Sequence, residues 1–290
     1  MLQGVYTALI TPLENNRFHE ESFHKLLEHQ VKGGVSGVVP CGTTGESPTL
    51  SHDEHNYIIK SCIDFCKGKI QVIAGTGSNS TDEAIATTLY AEKHGADAAL
   101  IVTPYYNKPS QQGIYEHFKK IHDNTNLPII IYNIPGRCII NVSMDLLERL
   151  AKLPRIIGIK DATSDLTLPS IVRNTIGKDF YQLSGEDATM LAFNVSGGHG
   201  CISVTSNIVP ELCAKMQSAW FAGDVKTAQE IQDQLVEINQ VLFCETNPTP
   251  VKYAASLLGL CSGELRLPLV PVSDESKRKI ERALQNLGLI

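Results

Sequence analysis

One lysine in this 290-residue sequence stands where an amine can do covalent chemistry. Lys160 directly follows residues 156–159, an apolar run that is typical of a strand buried on both faces. Burial disfavours the charged ammonium form, and an uncharged amine attacks carbonyl carbons to form a Schiff base. The alternative is a lysine whose long stem only extends from a strand end to solvent. Position alone leaves both interpretations open.

Other side chains fit carbonyl chemistry beside such an amine. Tyr132 closes the preceding apolar run, and its phenol with the Thr43 hydroxyl would give a path for protons. Thr43 and Thr44 lie between glycines, where backbone N–H groups are available to a carboxylate. Arg137 follows a Pro-Gly pair, and a guanidinium binds carboxylates bidentately. The alternatives are an aromatic plug for Tyr132, a tight turn for the threonines and a surface position for Arg137.

These residue types predict an aldolase-type lyase or synthase that holds a 2-keto acid as an imine. Such chemistry needs no metal and no cofactor. A glycine-rich phosphate loop is missing, since Gly75-Thr76-Gly77 lacks the third glycine of a dinucleotide-binding motif. A ligand-binding barrel without catalysis is the alternative from another class, and it would have no need of the lysine or the tyrosine.

Strand-like apolar runs recur along the chain at intervals close to the ~30 residues of one strand and its crossover helix. Amphipathic helical patterns separate them, which predicts a parallel sheet. Eight such units predict a (β/α)8 TIM barrel, whose working residues follow the carboxyl ends of the strands. An open doubly wound sheet is the rival fold. The eight runs are residues 5–10, 37–40, 70–74, 98–103, 129–132, 156–159, 181–184 and 201–204.

The last part of the chain carries helical patterns only, at residues 225–243, 248–260 and 273–287. We therefore expect a catalytic barrel over residues 1–223 and a C-terminal helical extension over residues 224–290. Helix starts are indicated by Ser51-x-x-Glu54 and Ser80-x-x-Glu83, both with capping-box spacing.

Composition excludes several classes of function. The net charge is −6, without the clustered positive charge that a nucleic-acid or membrane-surface site needs. No apolar run approaches the ~20 residues that span a bilayer, and the start is unlike a secretory signal. Eight scattered cysteines have neither zinc-site spacing nor a disulfide framework. A reducing, cytoplasmic location is expected.

The sequence resembles the class I pyruvate-dependent aldolases related to N-acetylneuraminate lyase, over essentially its whole length. The motifs that carry the resemblance occur in one order and are specific only jointly. They are Gly42-Thr43-Thr44-Gly45-Glu46, Val102-Thr103-Pro104-Tyr105-Tyr106-Asn107, Tyr132-Asn133-Ile134-Pro135, Gly158-Ile159-Lys160 and Gly197-Gly198-His199-Gly200.

The resemblance implies that pyruvate condenses with Lys160 and that the resulting enamine attacks L-aspartate 4-semialdehyde, in the pathway to diaminopimelate and lysine. It implies a proton relay of Tyr132, Thr43 and Tyr106, with Tyr106 reaching the neighbouring subunit's site. A sister aldolase, acting on N-acetylneuraminate or a 2-keto-3-deoxy sugar acid, is the alternative. Such relatives commonly have serine at the Thr43 position and less reason for Arg137.

Further roles follow from the resemblance alone. Thr44 would bind the pyruvate carboxylate, Arg137 the carboxylate of the semialdehyde, and the backbones of Gly185 and Ile202 the keto acid. The usual assembly in the family is a homotetramer of two tight dimers.

The resemblance also implies a second, regulatory site for lysine as a feedback inhibitor. Glu83 would bind an ammonium group, and Asn79 and Tyr105 a carboxylate. For His52 and His55, a solvated first helical turn is the alternative. The six matching positions are Ser47, His52, His55, Asn79, Glu83 and Tyr105.

Overall fold

Eight parallel strands close into a barrel in the computed structural model of the protein, which describes residues 2–290. Their order around the barrel is their order along the chain, as predicted for a (β/α)8 fold. The strands are β1 (Gly4–Ala8), β2 (Gly37–Val39), β3 (Gln71–Gly75), β4 (Ala98–Val102), β5 (Ile129–Asn133), β6 (Ile156–Asp161), β7 (Tyr181–Ser184) and β8 (Gly200–Ser203).

Helices follow the strands and continue beyond the last of them. They are α1 (Glu20–Lys32), α2 (His52–Cys66), α3 (Thr81–His94), α4 (Gln111–Asn124), α5 (Pro135–Cys138), α6 (Met144–Ala151), α7 (Leu168–Thr175), α8 (Met190–Val195), α9 (Pro210–Phe221), α10 (Val225–Gln234), α11 (Val236–Val241), α12 (Thr249–Leu257) and α13 (Asp274–Asn286). None of the helices within residues 2–290 is long and apolar enough to cross a membrane.

The chain forms two compact units, one built mainly from residues 72–202 and the other from residues 4–71 and 203–290. In the first unit, β5 and β6 pair along their length apart from a register shift between Ile129 and Ile130, and their register brings Tyr132 opposite Lys160 and Asn133 opposite Asp161. Every residue of β5 is buried, because a parallel strand is covered on both faces.

In the second unit, β1 pairs with β2, and the completely buried Tyr6 donates its hydroxyl hydrogen to Gln71 at 2.7 Å. Helix α9 packs against β1, α1 packs against α9, and α12 packs against α13. The C-terminal helices therefore belong to the same unit as the first two strands. The predicted division of the chain at residue 223 stays a prediction.

Two local predictions differ from the structure. The pattern over residues 225–243 forms two helices, because the chain breaks at Leu235, where φ and ψ are −84° and −6°. Ser51 caps α2 as predicted, accepting from the Glu54 N–H, whereas the Ser80 side chain makes no cap bond at α3. The reason is that Ser78 occupies this place: its hydroxyl accepts from the Ser80 N–H and donates to Glu83 at 2.7 Å.

Candidate active site

Lys160 and Tyr132, the predicted amine and phenol, lie side by side in the first unit. They are direct neighbours across β6 and β5, and the Lys160 Nζ lies 4.2 Å from the centroid of the Tyr132 ring. Each residue is only 6% exposed. The amine therefore does not extend to solvent, which removes the simplest non-catalytic interpretation of Lys160. An amine held against an aromatic face keeps a defined position, since the ring attracts its charged form.

A buried polar network lies one residue beyond this pair. Asn133 donates its Nδ2 hydrogens to Asn141 Oδ1 at 2.8 Å and to Asp161 Oδ1 at 3.3 Å, and its Oδ1 accepts from the Val142 N–H at 3.1 Å. The Thr163 hydroxyl donates to the other Asp161 oxygen at 2.6 Å. Burial raises the pKa of the Asp161 carboxyl, while the bonds from Thr163 and Asn133 oppose that rise. The network fixes the ends of both strands.

Arg137 lies on α5, within the segment between Asn133 and Asn141. The Asn133 side chain closes this segment by its bonds to Asn141 and Val142. The helix ends at Ile139, which adopts a left-handed conformation with φ of +66° and is 76% exposed. A β-branched residue rarely takes this conformation, which costs of order 1–3 kcal/mol. Arg137 is exposed, and Cys138 beside it is buried, which raises the pKa of its thiol. The loop therefore holds Arg137 at an exposed position on a strained but anchored backbone.

Gly185 comes directly after β7, and its backbone lies close to the end of β6. The Gly185 N–H donates to Asp161 O at 2.6 Å, and a Cβ at this position would come 2.7 Å from the Ala162 Cβ. Only glycine fits so close an approach. Ile202 is fully buried within β8.

Glu186 is a second carboxyl group near the lysine. Burial raises its pKa, the neighbouring Asp187 raises it further, and the positive charge of Lys160 lowers it. Its charge therefore interacts with that of Lys160. The sequence offered no role for this residue beyond opening a helix.

The Thr43-Thr44 segment belongs to the second unit and follows β2 as a tight turn. The Gly45 N–H donates to Gly42 O at 3.1 Å, and the Glu46 N–H donates to Thr43 O at 3.2 Å. Thr44 is buried, and its Oγ1 accepts from the Asn247 side-chain amide at 3.0 Å. The Thr44 hydroxyl thus keeps its own hydrogen for another acceptor, such as a carboxylate oxygen.

Tyr106 has the opposite environment to Tyr132. It is 95% exposed and has a left-handed backbone with φ of +69°. The phenol projects away from the single chain that the structure describes.

Within the first unit, three of the residues expected to bind lysine lie close together. Asn79 donates its amide hydrogen to Tyr105 O at 3.1 Å, and Glu83 accepts from Ser78. Burial raises the pKa of the Tyr105 hydroxyl, and the charge of Glu83 adds to the rise. The other three residues belong to the second unit: Ser47 begins a 3-10 turn, and His52 and His55 lie in the first turn of α2.

Sequence reasoning missed the side chains that hold these segments from a distance. Asn247 contacts Thr44, and Lys252 contacts Glu46 across 206 positions of sequence. No local pattern marks such partners. The only sequence signal for these contacts was Lys252, a charged residue among the apolar positions of the helix predicted over residues 248–260. Within residues 2–290, no group of three or more His, Cys, Asp or Glu residues is arranged to hold a metal ion.

Known proteins resemble this chain over its full length. The profile of the Dihydrodipicolinate synthetase family matches residues 1–287. The 4-hydroxy-tetrahydrodipicolinate synthase of Parvibaculum lavamentivorans is 53% identical, with all of both chains aligned. The crystal structure of the chloride-inhibited dihydrodipicolinate synthase of Acinetobacter baumannii complexed with pyruvate has a TM-score of 0.97 at 40% identity, covering all of both chains.

A third relative, the enzyme of Cyanidioschyzon merolae with lysine bound, has a TM-score of 0.96 at 35% identity, covering 99% of both chains. The chain thus matches these relatives in sequence and in structure over the barrel strands and the C-terminal helices. The chain belongs to the dihydrodipicolinate synthetase family.

Proposed function

We propose that Lys160 carries pyruvate as a Schiff base in the reaction of this enzyme, the condensation of pyruvate with L-aspartate 4-semialdehyde in lysine biosynthesis. The observation that carries the proposal is the buried Lys160 amine held 4.2 Å from the Tyr132 ring centroid. Membership of the dihydrodipicolinate synthetase family supplies the reaction.

The reaction begins when the uncharged Nζ of Lys160 attacks the keto carbon of pyruvate. The carbinolamine loses water to become an imine, and loss of a methyl proton converts the imine into an enamine. The enamine carbon then attacks the aldehyde carbon of the semialdehyde. Finally the semialdehyde's amino group attacks the imine carbon, which closes the ring and releases Lys160 with 4-hydroxy-tetrahydrodipicolinate as product. Each step moves a proton, so that an acid–base group beside the amine accelerates all of them.

We assign the proton transfers to Tyr132, relayed through Thr43 and Tyr106. Tyr132 is supported by its contact with Lys160, and the two relay partners by the family resemblance. A tyrosine relay is suited to this role because a phenol both donates and accepts a proton.

The two substrate carboxylates have separate partners in the proposal. Thr44 binds the carboxylate of pyruvate. The support is its buried hydroxyl, which accepts from Asn247 and so can donate its own hydrogen to another group. Arg137 binds the carboxylate of the semialdehyde, supported by its exposed position on an anchored loop. The backbones of Gly185 and Ile202 contact the keto acid.

The assembly we propose is a homotetramer made of two tight dimers, in which Tyr106 completes the partner's relay. Support comes from the 95% exposure of this aromatic side chain on a strained backbone, since such strain persists where a functional contact requires it. We also propose a cytoplasmic location, which suits the eight cysteines present as free thiols.

Lysine is the proposed feedback inhibitor, bound by Ser47, His52, His55, Asn79, Glu83 and Tyr105. The Cyanidioschyzon merolae relative was crystallised with lysine bound. In this chain the support is the carboxylate of Glu83 near the Tyr105 hydroxyl and the Asn79 amide.

One assay tests the function directly. Pyruvate and L-aspartate 4-semialdehyde are supplied with dihydrodipicolinate reductase and NADPH, and NADPH oxidation is followed. We expect turnover that requires both substrates. Failure of the semialdehyde to react, with pyruvate still trapped on Lys160 by borohydride, would overturn the aldehyde assignment in favour of a sister aldolase.

A further inference from the structure

We propose that the buried ion pair of Lys252 and Glu46 positions the Thr43-Thr44 turn for the carboxylate of pyruvate. Lys252, from α12, is thereby a positioning residue contributed by the C-terminal helices. The inference rests on the proposed function, because it takes Thr44 to be the group that binds this carboxylate.

The pair is completely enclosed. Lys252 Nζ donates to Glu46 Oε1 at 2.5 Å, and the two side chains are 0% and 1% exposed. The second oxygen of Glu46 accepts from the Arg266 N–H at 3.1 Å. Both carboxylate oxygens are therefore held by residues that follow the barrel strands in the chain.

Glu46 ends the turn that carries the two threonines. It has a left-handed backbone with φ of +57°, and its N–H donates to Thr43 O at 3.2 Å. A non-glycine residue keeps this conformation only where its surroundings enforce it. Because the side chain of Glu46 is fixed at both oxygens, its backbone and the preceding threonines are fixed with it.

A neighbouring contact points in the same direction. Asn247, from the segment that leads into α12, donates to Thr44 Oγ1 at 3.0 Å. The Thr11 hydroxyl donates to Gly45 O at 2.7 Å from the other side of the turn. The turn is thus held at Thr44, Gly45 and Glu46 in succession, which sets the direction of the Thr44 hydroxyl hydrogen.

Stability alone does not account for an ion pair at this place. Removing two charges from water costs as much as their attraction returns, and apolar pairs of similar volume are commonly at least as stable. A short charge-assisted bond does, however, fix geometry more narrowly than apolar contact. The position of the pair, directly behind the carboxylate-binding turn, gives that narrow geometry a use.

The test compares Lys252→Met and the double variant Glu46→Gln/Lys252→Met with Tyr253→Phe. Tyr253 is the next residue on α12, and its hydroxyl bond to Glu281 links α12 to α13, so that its loss tests helix packing alone. Pyruvate affinity is measured as the pyruvate concentration that half-saturates borohydride trapping on Lys160. Thermal unfolding is measured on the same samples.

We expect the pyruvate concentration that half-saturates trapping to rise about tenfold or more in both Lys252 variants. A rise of this size corresponds to losing one charge-assisted hydrogen bond to the pyruvate carboxylate. KM for the semialdehyde should stay unchanged, as should pyruvate affinity in Tyr253→Phe. Lys252→Met leaves an unpaired buried carboxylate and unfolds at a lower temperature, whereas the neutral double variant should regain stability without regaining pyruvate affinity.

Wild-type pyruvate affinity in the folded double variant would overturn the positioning role, and so would an equal rise in Tyr253→Phe. Failure of the proposed capture of pyruvate by Lys160 has a different signature, since wild-type protein would then trap no pyruvate at all. That result would overturn both proposals together.

Discussion

The Lys160 amine lies over the ring of Tyr132, with its Nζ 4.2 Å from the ring centroid, because β5 and β6 pair with these two residues directly opposite each other. A register shift between Ile129 and Ile130 precedes this pairing. Sliding either strand by one residue would turn one of the two side chains to the other face of the sheet. The chemistry proposed for these two residues therefore depends on the strand register, which the buried Asn133–Asp161 contact one residue further on also holds.

Replacing Lys160 by Met should abolish covalent capture of pyruvate. Met keeps the length and apolar stem of lysine but has no nucleophilic nitrogen, so that the fold is retained and the Schiff base is not. The measurement is intact-protein mass after incubation with pyruvate and borohydride. Lys178→Met, which changes an exposed lysine, is the matched control and should gain the adduct mass as wild type does. An adduct on the Lys160→Met protein would show that another amine carries the substrate.

Tyr132→Phe separates the phenol from the ring. The ring and its contact with Lys160 remain, while the acid–base group is lost, so that kcat should fall by about 10²–10⁴-fold. Stopped-flow kinetics of imine formation and steady-state turnover both report on this step. Tyr115→Phe, at a tyrosine whose ring stacks with Arg149, should have no effect on either. Wild-type turnover in Tyr132→Phe would mean that the tyrosine only fills space.

Arg137→Ala should weaken binding of the semialdehyde and leave pyruvate binding intact. Loss of a bidentate guanidinium–carboxylate contact corresponds to about 1.5–3 kcal/mol, or roughly 10- to 150-fold in KM for the semialdehyde. Initial rates with each substrate varied in turn distinguish the two effects. Arg149→Ala, on α6, is the control for loss of an arginine. Equal changes for both substrates would indicate a general disturbance of the loop instead.

The strands could be predicted because their chemistry is local. A strand covered on both faces must be apolar at every position, and runs such as residues 129–132 and 156–159 lie within β5 and β6. The strand count then predicted the barrel, and strand-end position singled out Lys160 and Tyr132. Local signals were less certain at helix ends, where Ser78 rather than Ser80 bonds Glu83.

The supports of the site could not be predicted in this way. Lys252 and Glu46 are 206 positions apart, and neither belongs to a spacing that indicates a contact. The network of Asn133 and Asp161 depends on the β5–β6 register, which three-dimensional packing decides. Contacts of this kind join residues that only the folded chain brings together, so that their partners can be identified only in the structure.

Glu83→Gln should weaken inhibition by lysine. The substitution keeps the size of the side chain and its ability to accept from Ser78 but removes the charge proposed to bind an ammonium group. We expect the lysine concentration for half-inhibition, taken relative to each variant's own uninhibited rate, to rise about tenfold or more. Asp82→Asn removes a charge from the adjacent exposed position and is the matched control. Equal inhibition of the Glu83→Gln and Asp82→Asn proteins would contradict the assignment.

Stability should fall between about pH 6.5 and pH 4 because of His117 on α4. Its ring is buried, with Nδ1 2.9 Å from the Thr81 hydroxyl, and within residues 2–290 its Nε2 has no hydrogen-bond partner. Burial lowers the pKa of His117 from 6.5 to about 4. The unfolded chain therefore binds a proton in this range that the folded protein does not, and the free energy of unfolding decreases as pH falls.

His117→Gln should remove that part of the pH dependence, because glutamine can still bond the Thr81 hydroxyl but does not titrate. Urea unfolding at pH 7 and at pH 4 measures this dependence. The decrease in the free energy of unfolding from pH 7 to pH 4 should be smaller in the variant by up to about 3 kcal/mol, at 1.36 kcal/mol per pKa unit. His94→Gln should leave the pH dependence in place, since His117 is still present. An identical pH dependence in His117→Gln and wild type would assign the acid sensitivity to other groups.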